Sequence, residues 1–364
     1  MNDWYHIKAA DFINFNPRES LSRNTMAKKV AMEKLQPFTR TVTDYEIASF
    51  RGGTKFRNGD TIMARITPCL ENGKTAQVNF LENNEVGFGS TEFIVMRARP
   101  SVSDSDFIYY LATSPFFRKI AIQSMVGSSG RQRVQQDVLD TTELFVPPLS
   151  VQIKIGRNLR ALDDKIASNS KINHHLEQMA QAIFTELCSV GKPAILSDIL
   201  DVCYGKDHKR LEDGQIPCYG SGGIMRYVDK AIYTGESVLI PRKGSLNNVM
   251  YTNEAFWTVD TMFYTHMKHP NVAKLAYFTV RSLDLAGMNV GSAVPSMTTS
   301  VLNSLEIILP NDETLAKFEK IVDPMFLQIR ANELESAKLA NLRDTLLPRL
   351  MSGELSVSEI SDAK

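Results

Sequence analysis

The strongest constraint on this chain is that it repeats itself. Sliding the sequence by 163 residues lays Val138-Leu139 on Val301-Leu302, Glu143 on Glu306 and Pro147 on Pro310. The register then continues without a gap through Ile166 on Ile329, Asn169 on Asn332, Leu176 on Leu339 and Leu187 on Leu350. With one residue of slippage upstream, Val126-Gly127-Ser128 falls on Val290-Gly291-Ser292, and Gly59-Asp60 has a weaker echo in Gly235-Glu236. Self-similarity at a fixed period marks a duplicated structural unit. Whatever the first half folds into, the second half is therefore expected to fold into as well. A length of 364 residues, 43% of them hydrophobic, suffices for two ordinary cores.

Each repeat ends in a long helical pattern. In the first, Ile155, Leu159, Leu162, Ile166, Asn169, Asn173, Leu176, Ala180, Ile183 and Leu187 recur at spacings of four and three, a heptad seam. Pro147-Pro148 block helix ahead of it and Gly191-Lys192-Pro193 close it. The second copy runs Phe318, Val322, Met325, Ile329, Asn332, Ser336, Leu339, Arg343, Leu346 and Leu350, after Asn311-Asp312, which suit a cap. About 40 residues at ~1.5 Å each make a rod of about 60 Å. A rod with one apolar seam needs a partner, and each helix is the natural partner of the other. Antiparallel pairing would place the two globular parts at opposite ends, a dumbbell with pseudo-twofold symmetry. Pro324 is expected to kink the second helix and to make its first three turns diverge. Asn169 and Asn332 hold equivalent seam positions. They are read as a polar layer fixing the register, in preference to a polar contact with another subunit.

The expected fold is α+β: two tandem mixed α/β globular units related by duplication, separated by two long helices forming an antiparallel coiled coil. The segments are 1–147, 148–190 (first helix), 191–310, 311–355 (second helix) and a flexible tail at 356–364. Short β-rich runs such as Thr61-Ile62-Met63-Ala64 and Ser237-Val238-Leu239-Ile240 alternate with Gly, Asn and Pro, and helix is expected near Phe107 to Gln123 and Val272 to Arg281.

A scan for catalytic chemistry returns nothing. The only near match to an adenine methyltransferase loop is Asn16-Pro17-Arg18-Glu19, which lacks the second proline and the aromatic. Gly73-Lys74-Thr75 resembles the end of a phosphate loop, but Pro68 stands where the first glycine is required and offers neither N–H nor positive φ. Asp163-Asp164-Lys165 lies inside the helical pattern and is read as a solvated flank. The six histidines form no metal-binding spacing, and Cys69, Cys188, Cys203 and Cys218 are scattered as ordinary reduced thiols. No enzyme and no resident metal or cofactor is expected. Neither an apolar run of membrane length nor a signal-peptide layout is present, so the expected location is the cytoplasm, with no membrane partner.

The charge pattern is more informative than the charge total, 41 basic against 41 acidic residues. In the first globular part Arg51, Lys55, Arg57, Arg65 and Lys74 crowd a loop-rich stretch, and Arg131-Gln132-Arg133 follows Gly127-Ser128-Ser129-Gly130. In the second, Lys206, His208, Lys209 and Arg210 follow Gly205. There Tyr219-Gly220-Ser221-Gly222-Gly223 forms a tight loop and Arg242-Lys243-Gly244-Ser245-Leu246-Asn247-Asn248 ends a strand. Loops mixing Arg and Lys with Asn, Gln, Ser, Gly and Tyr carry the residue types that hold phosphates and read base edges. One such loop is usually just solvated; matching loops in both repeats favour a nucleic-acid surface. Arg51, Lys55, Arg57, Arg65, Lys74, Arg131, Arg133, Lys206, Lys209, Arg210, Tyr219, Ser221, Arg242, Lys243 and Asn247 are the candidate contacts. Since neither globular part is strongly basic, tight binding is expected to need partners that add cationic surface.

These features resemble the specificity subunits of type I restriction-modification systems, and the resemblance covers essentially the whole chain. Gly59 to Lys74 is similar to part of a target recognition domain of that family, as is Ile240-Pro241-Arg242-Lys243-Gly244-Ser245-Leu246-Asn247-Asn248-Val249. Val146-Pro147-Pro148-Leu149-Ser150-Val151-Gln152, with Ala180-Gln181-Ala182-Ile183-Phe184 further on, resembles the central spacer. Leu342-Arg343-Asp344-Thr345-Leu346-Leu347-Pro348-Arg349-Leu350-Met351-Ser352-Gly353-Glu354-Leu355 resembles the C-terminal signature, the most specific of the set. The resemblance implies a non-catalytic reader of double-stranded DNA. Each recognition domain would contact one half of a bipartite asymmetric site. Independently of the resemblance, loops of both globular units are expected to enter the major groove of half-sites about 34 Å apart on one face of the duplex. The helices would set the gap and dock two methyltransferase subunits, and a motor-nuclease subunit would join for restriction. S-adenosylmethionine, ATP and Mg²⁺ would then belong to those partners. The chain is somewhat short for the family, and Leu309-Pro310-Asn311 stands where a double proline opens the first helix. An alternative without DNA is a coiled-coil scaffold joining two protein-binding modules.

Overall fold

The computed structural model describes residues 3–128, 130–288 and 295–357. Contacts divide the chain into two compact units: unit 1 is Met1–Lys171 with Asn332–Lys364, and unit 2 is Ile172–Ala331. The division cuts through both long helices rather than at their ends, because each half-helix packs on the core of the unit it joins.

Unit 1 opens with β1 (Tyr5–Lys8), α1 (Ala9–Phe12), β2 (Ile13–Phe15), β3 (Met26–Val30), β4 (Glu46–Ser49), β5 (Thr54–Phe56) and β6 (Thr61–Ala64). It continues with β7 (Thr75–Gln77), β8 (Gly87–Gly89), β9 (Phe93–Ala98), α2 (Ser105–Thr113), α3 (Pro115–Gln123), α4 (Gln136–Thr141), β10 (Glu143–Val146) and the start of α5 (Leu149–Leu187). The helix expected from Phe107 to Gln123 is broken in two. Ser114 ends α2 in an extended conformation, then caps α3 by accepting from the Phe117 N–H, with Pro115 in the first turn. The strands form sheets ordered β2-β9-β6-β7 and β4-β3-β8-β5, and β1 pairs with β10 in an antiparallel ribbon. One core lies between the first sheet and the helices and takes in Phe12, Phe107, Phe117, Ile155, Leu159 and Leu350; a second gathers Val30, Phe56, Ile62 and Val95.

Unit 2 holds β11 (Lys192–Ile195), α6 (Leu196–Ile199), β12 (Leu200–Tyr204), β13 (Asp213–Gly220), β14 (Gly223–Val228) and β15 (Tyr233–Pro241). Then come β16 (Met250–Thr258), β17 (Met262–Met267), α7 (Ala273–Arg281), α8 (Thr299–Asn303), β18 (Glu306–Leu309) and the start of α9 (Asp312–Met351). Its sheet runs β12-β17-β15-β16-β13-β14, and β11 pairs with β18. The duplication is visible element by element: ribbon, one-turn helix, edge strand, then β6-β9 matched by β15-β17 and α2 by α7. The units differ in the remaining strands, which form a separate sheet in unit 1 and extend the main sheet in unit 2.

The paired seams follow the heptads. In unit 1, Asn169 Nδ2 lies 3.4 Å from the Asn332 carbonyl, 2.8 Å from Glu335 Oε2 and 3.2 Å from Ser336 Oγ, and Arg343 reaches Asp163. In unit 2, Asn173 Nδ2 donates to the Ile329 carbonyl and Phe184 meets Phe318 with ring centroids 6.2 Å apart. Residue numbers rise along one helix as they fall along the other, so α5 and α9 run antiparallel within each unit. Two expectations need correction. The turns of α9 ahead of Pro324 do not diverge: the helix is continuous from Asp312 to Met351, and Leu315, Phe318 and Val322 are buried in the unit 2 core. Asn311 caps it by accepting from the Thr314 N–H, and the burial of these side chains, about 1.5–3 kcal/mol each, offsets the bond lost at the exposed proline. Asp163 is not solvated; it is 7% exposed and bonded to both Tyr110 and Arg343. Of the tail expected to be flexible, 358–364 lie outside the described residues, and Val357 is buried in the unit 1 core.

Candidate nucleic-acid interface

In unit 1 the site is built where β6 ends. Ala64 pairs with Phe93 on β9, so Arg65 emerges beside Glu92, and the Arg65 N–H donates to the Glu92 carbonyl at 2.9 Å. The chain returning from α3 passes on the other side: Val134 N–H donates to the Arg65 carbonyl, and Arg133 bridges to both Ile66 and Val126. Three backbone segments thus bring Arg65, Glu92 and Arg133 together. Arg133 donates Nε to Glu92 at 3.0 Å and Nη2 to Glu92 Oε1 at 2.7 Å, a forked pair. The Arg133 guanidinium, and secondarily the Arg65 charge, hold the Glu92 carboxyl below its usual range. Arg65 spends one donor on the Val134 carbonyl at 3.0 Å.

The other candidates of this unit are dispersed. Lys55 and Arg57 flank Glu19: Lys55 Nζ donates to its carbonyl at 2.8 Å and Arg57 Nε to its carboxylate at 2.7 Å. Arg97 shares that carboxylate and also holds Asp60, so this cluster is an internal ion-pair network. Lys74 donates to the Met32 carbonyl. Arg51, in the turn between β4 and β5, and Arg131, beside Arg133, are exposed and make no side-chain hydrogen bond or ion pair to another described residue. Of the Gly127–Gly130 loop, Ser129 lies outside the described residues, as do Val290, Gly291 and Ser292 in the second repeat.

In unit 2 the corresponding place is the end of β15. Pro241 pairs with Met262 on β17, the Arg242 N–H donates to the Thr261 carbonyl at 2.8 Å, and the Arg242 carbonyl accepts from Met297 at 2.9 Å. Lys243 bridges to Ser296. Arg242 gives Nη1 to the Asp260 carbonyl and lies over the ring of Tyr204, which is 51% exposed, with 5.3 Å to the centroid. Ser221-Gly222 form the two-residue turn of the β13–β14 hairpin, where Gly223 at φ +115° takes the conformation that glycine tolerates. Asn248 ties this turn to the Arg242–Asn248 loop by donating to the Ser221 carbonyl at 2.9 Å, and Gly244 sits close enough to Ser221 that a Cβ there would lie 2.9 Å from its Oγ. Asn247 bonds Asp284 and the Ala286 N–H. Tyr219, half-buried, leads into the hairpin and packs edge-on to Phe256. Lys206, Lys209, Arg210 and Lys243 are exposed, without a side-chain hydrogen bond or ion pair to another described residue.

Arg242, Lys243, Ser221 and Asn247 therefore share one surface, joined by Tyr204 and Asn248. Sequence reasoning missed Glu92 and Tyr204. Glu92 lies 41 residues from Arg133, and no local pattern links them. Among the described residues no group of three or more His, Cys, Asp and Glu is arranged to hold a metal ion, and no helix is long and apolar enough to cross a membrane.

A family model described as "Type I restriction modification DNA specificity domain" matches residues 1–178 and again 195–343. Among similar proteins, the Type I restriction enzyme EcoAI specificity subunit of Escherichia coli is 36% identical over 105 residues, 29% of this chain and 18% of that subunit's length. The HindI specificity subunit of Haemophilus influenzae is 23% identical across 82% of this chain and 87% of its own length. The MjaIX specificity subunit of Methanocaldococcus jannaschii is 23% identical over 70% of each. A crystal structure of a type I restriction-modification S subunit from M. genitalium superimposes with a TM-score of 0.62 at 15% identity, covering 96% of both chains, a likeness of fold.

Proposed function

This chain belongs to the family of type I restriction-modification DNA specificity domains, and from that premise we propose that it is the non-catalytic DNA-recognition subunit of such a complex. Each unit reads one half of a bipartite, asymmetric site in double-stranded DNA. The antiparallel helices α5 and α9 set the gap between the halves, with Asn169 and Asn332 fixing their register, and dock two methyltransferase subunits; a restriction subunit joins for cleavage. S-adenosylmethionine, ATP and Mg²⁺ are used by those partners, in the cytoplasm. The observation that carries the reading is that both units present an arginine, Arg65 or Arg242, from the same strand end, held by the same backbone frame beside further cations.

The test is a binding selection. The chain assembled with its methyltransferase partner is offered a pool of random duplexes, and bound and free DNA are sequenced. Recovery of two defined elements separated by a fixed unread gap is the expected result. Retention without sequence preference at low salt would favour the rival scaffold reading. Inserting one heptad at equivalent points in both helices should lengthen the gap and leave both elements unchanged; an unaltered gap would remove the ruler.

A further inference from the structure

The two units share a backbone frame but not the side chains mounted on it, and the difference divides anchoring from reading. Hydrogen bonds put Arg65, Ile66, Glu92 and Arg133 of unit 1 in the places of Arg242, Lys243, Thr261 and Ser296 of unit 2. The N–H of each arginine donates to the carbonyl of Glu92 or Thr261, each arginine carbonyl accepts from Val134 or Met297, and the next residue bridges to Arg133 or Ser296. Only the arginine is the same in both. Its guanidinium is tethered to a backbone carbonyl in each case, which fixes its direction whatever the DNA sequence. The other positions differ in chemistry. Unit 1 carries a forked Arg133–Glu92 pair, its side chains 45% and 24% exposed, whereas unit 2 carries a lone exposed lysine between two hydroxyl residues.

We infer, building on the proposed DNA-reading role, that Arg65 and Arg242 are sequence-indifferent phosphate anchors and that Arg133 is a base-discriminating residue of the first half-site, with Glu92 as its positioning residue. An arginine mounted in the same way in both units, with its guanidinium tethered to a backbone carbonyl in each, suits the feature that every half-site offers whatever its bases, the phosphate backbone. The groups that tell one half-site from the other belong among the positions whose side chains differ between the units, and Arg133 is one of these. Arg133 is suited to reading because Glu92 occupies its Nε edge and leaves guanidinium donors directed away from that carboxylate. A pre-aimed guanidinium pairs in bidentate fashion with the O6 and N7 acceptors of guanine in the major groove. The base pair assigned to Arg133 is therefore G·C.

The test repeats the selection with the assembled complex carrying Arg133→Lys, Arg133→Gln, Glu92→Gln, Arg65→Gln or Arg242→Gln. Arg133→Lys keeps the charge but not the fork, so affinity should persist while preference at one G·C pair of one half-site drops by about 5- to 150-fold, the equivalent of about 1–3 kcal/mol. Glu92→Gln should weaken the same preference and no other. Arg65→Gln and Arg242→Gln should reduce binding to all duplexes alike and lower the salt slope by about 1 each, with base preferences intact. Unchanged preferences in Arg133→Lys and Arg133→Gln, or altered preferences in Arg65→Gln, overturn the inference. Selection of no sequence by the unaltered complex overturns the DNA-reading role itself and this inference with it.

Discussion

The Arg343 guanidinium of α9 donates to the Asp163 carboxylate of α5 at 2.6 Å, and the pair is buried in unit 1, with side chains 13% and 7% exposed. The Tyr110 hydroxyl of α2 donates to the other oxygen of Asp163 at 2.6 Å. One carboxylate therefore joins both long helices to the recognition core of the unit.

Asp163→Ala should destabilise unit 1 by about 3 kcal/mol, because it leaves the buried Tyr110 hydroxyl without its acceptor and the buried Arg343 guanidinium with only the exposed Asp344 carboxylate. The two tryptophans make this measurable unit by unit: Trp4 belongs to unit 1 and Trp257 to unit 2. In urea, a Trp257→Phe background should show the loss through Trp4, and a Trp4→Phe background should show Trp257 unmoved. Asp163→Leu combined with Arg343→Met and Tyr110→Phe should recover most of the stability, since a buried polar cluster replaced by apolar side chains is often neutral.

Unit 2 has its own buried charge. Lys274 of α7 is fully buried, with Nζ 3.2 Å from Glu236 and 3.0 Å from Asp323 and bonded also to Glu319, over the rings of Tyr251 and Phe326. Burial already lifts the Glu319 carboxyl above its ordinary range despite the lysine. Lys274→Met should therefore lower the Trp257-reported stability by about 3–5 kcal/mol near neutral pH. A carboxyl with a raised folded-state pKa is favoured when protonated, so the deficit should shrink as the pH falls from 7 toward 5. A deficit independent of pH would show that the carboxylates are not what Lys274 balances.

Glu19 predicts the opposite pH dependence. The hydrogen bond from Arg57, aided by Arg97, holds this carboxyl below its ordinary value of 4.5. With the folded-state pKa depressed, its contribution to stability is present above about pH 4.5 and is lost as the pH falls through the folded value. Glu19→Gln should be less stable than the parent at neutral pH, and the two should converge in acid, with a shallower acid limb for the variant. Parallel acid limbs, followed through Trp4, would exclude Glu19 as a source of that slope.

What could be read from the sequence was what local periodicity encodes. The heptads of α5 and α9, the proline boundary before Leu149 and the strands at Thr61 and Ser237 are all short-range patterns, and each has its counterpart in the fold. Asp163 is not legible as buried, because a charge on a helix flank is usually solvated and its partners lie 53 and 180 residues away. The match of Arg65 to Arg242 was hidden by different loop lengths: these arginines are 177 residues apart, whereas the helices repeat at 163. Only backbone hydrogen bonds restore that alignment. The two units also spend their basic residues differently, since Lys55 and Arg57 are engaged by Glu19 and Lys74 by the Met32 carbonyl.

The way the units share the chain bears on how it is made. Unit 2 is one continuous stretch, 172–331, nested inside unit 1, whose last elements come from 332 onward. At a synthesis rate of about 5–20 residues per second, the ribosome releases everything unit 2 needs a few seconds before the final turns of α9 emerge. The portion translated first is thus the last to be completed, and until then Asp163 and Asn169 stand without their partners on α9. A released chain ending at residue 331 should hold a finished unit 2 and an unfinished unit 1, the form in which this protein has most need of a chaperone.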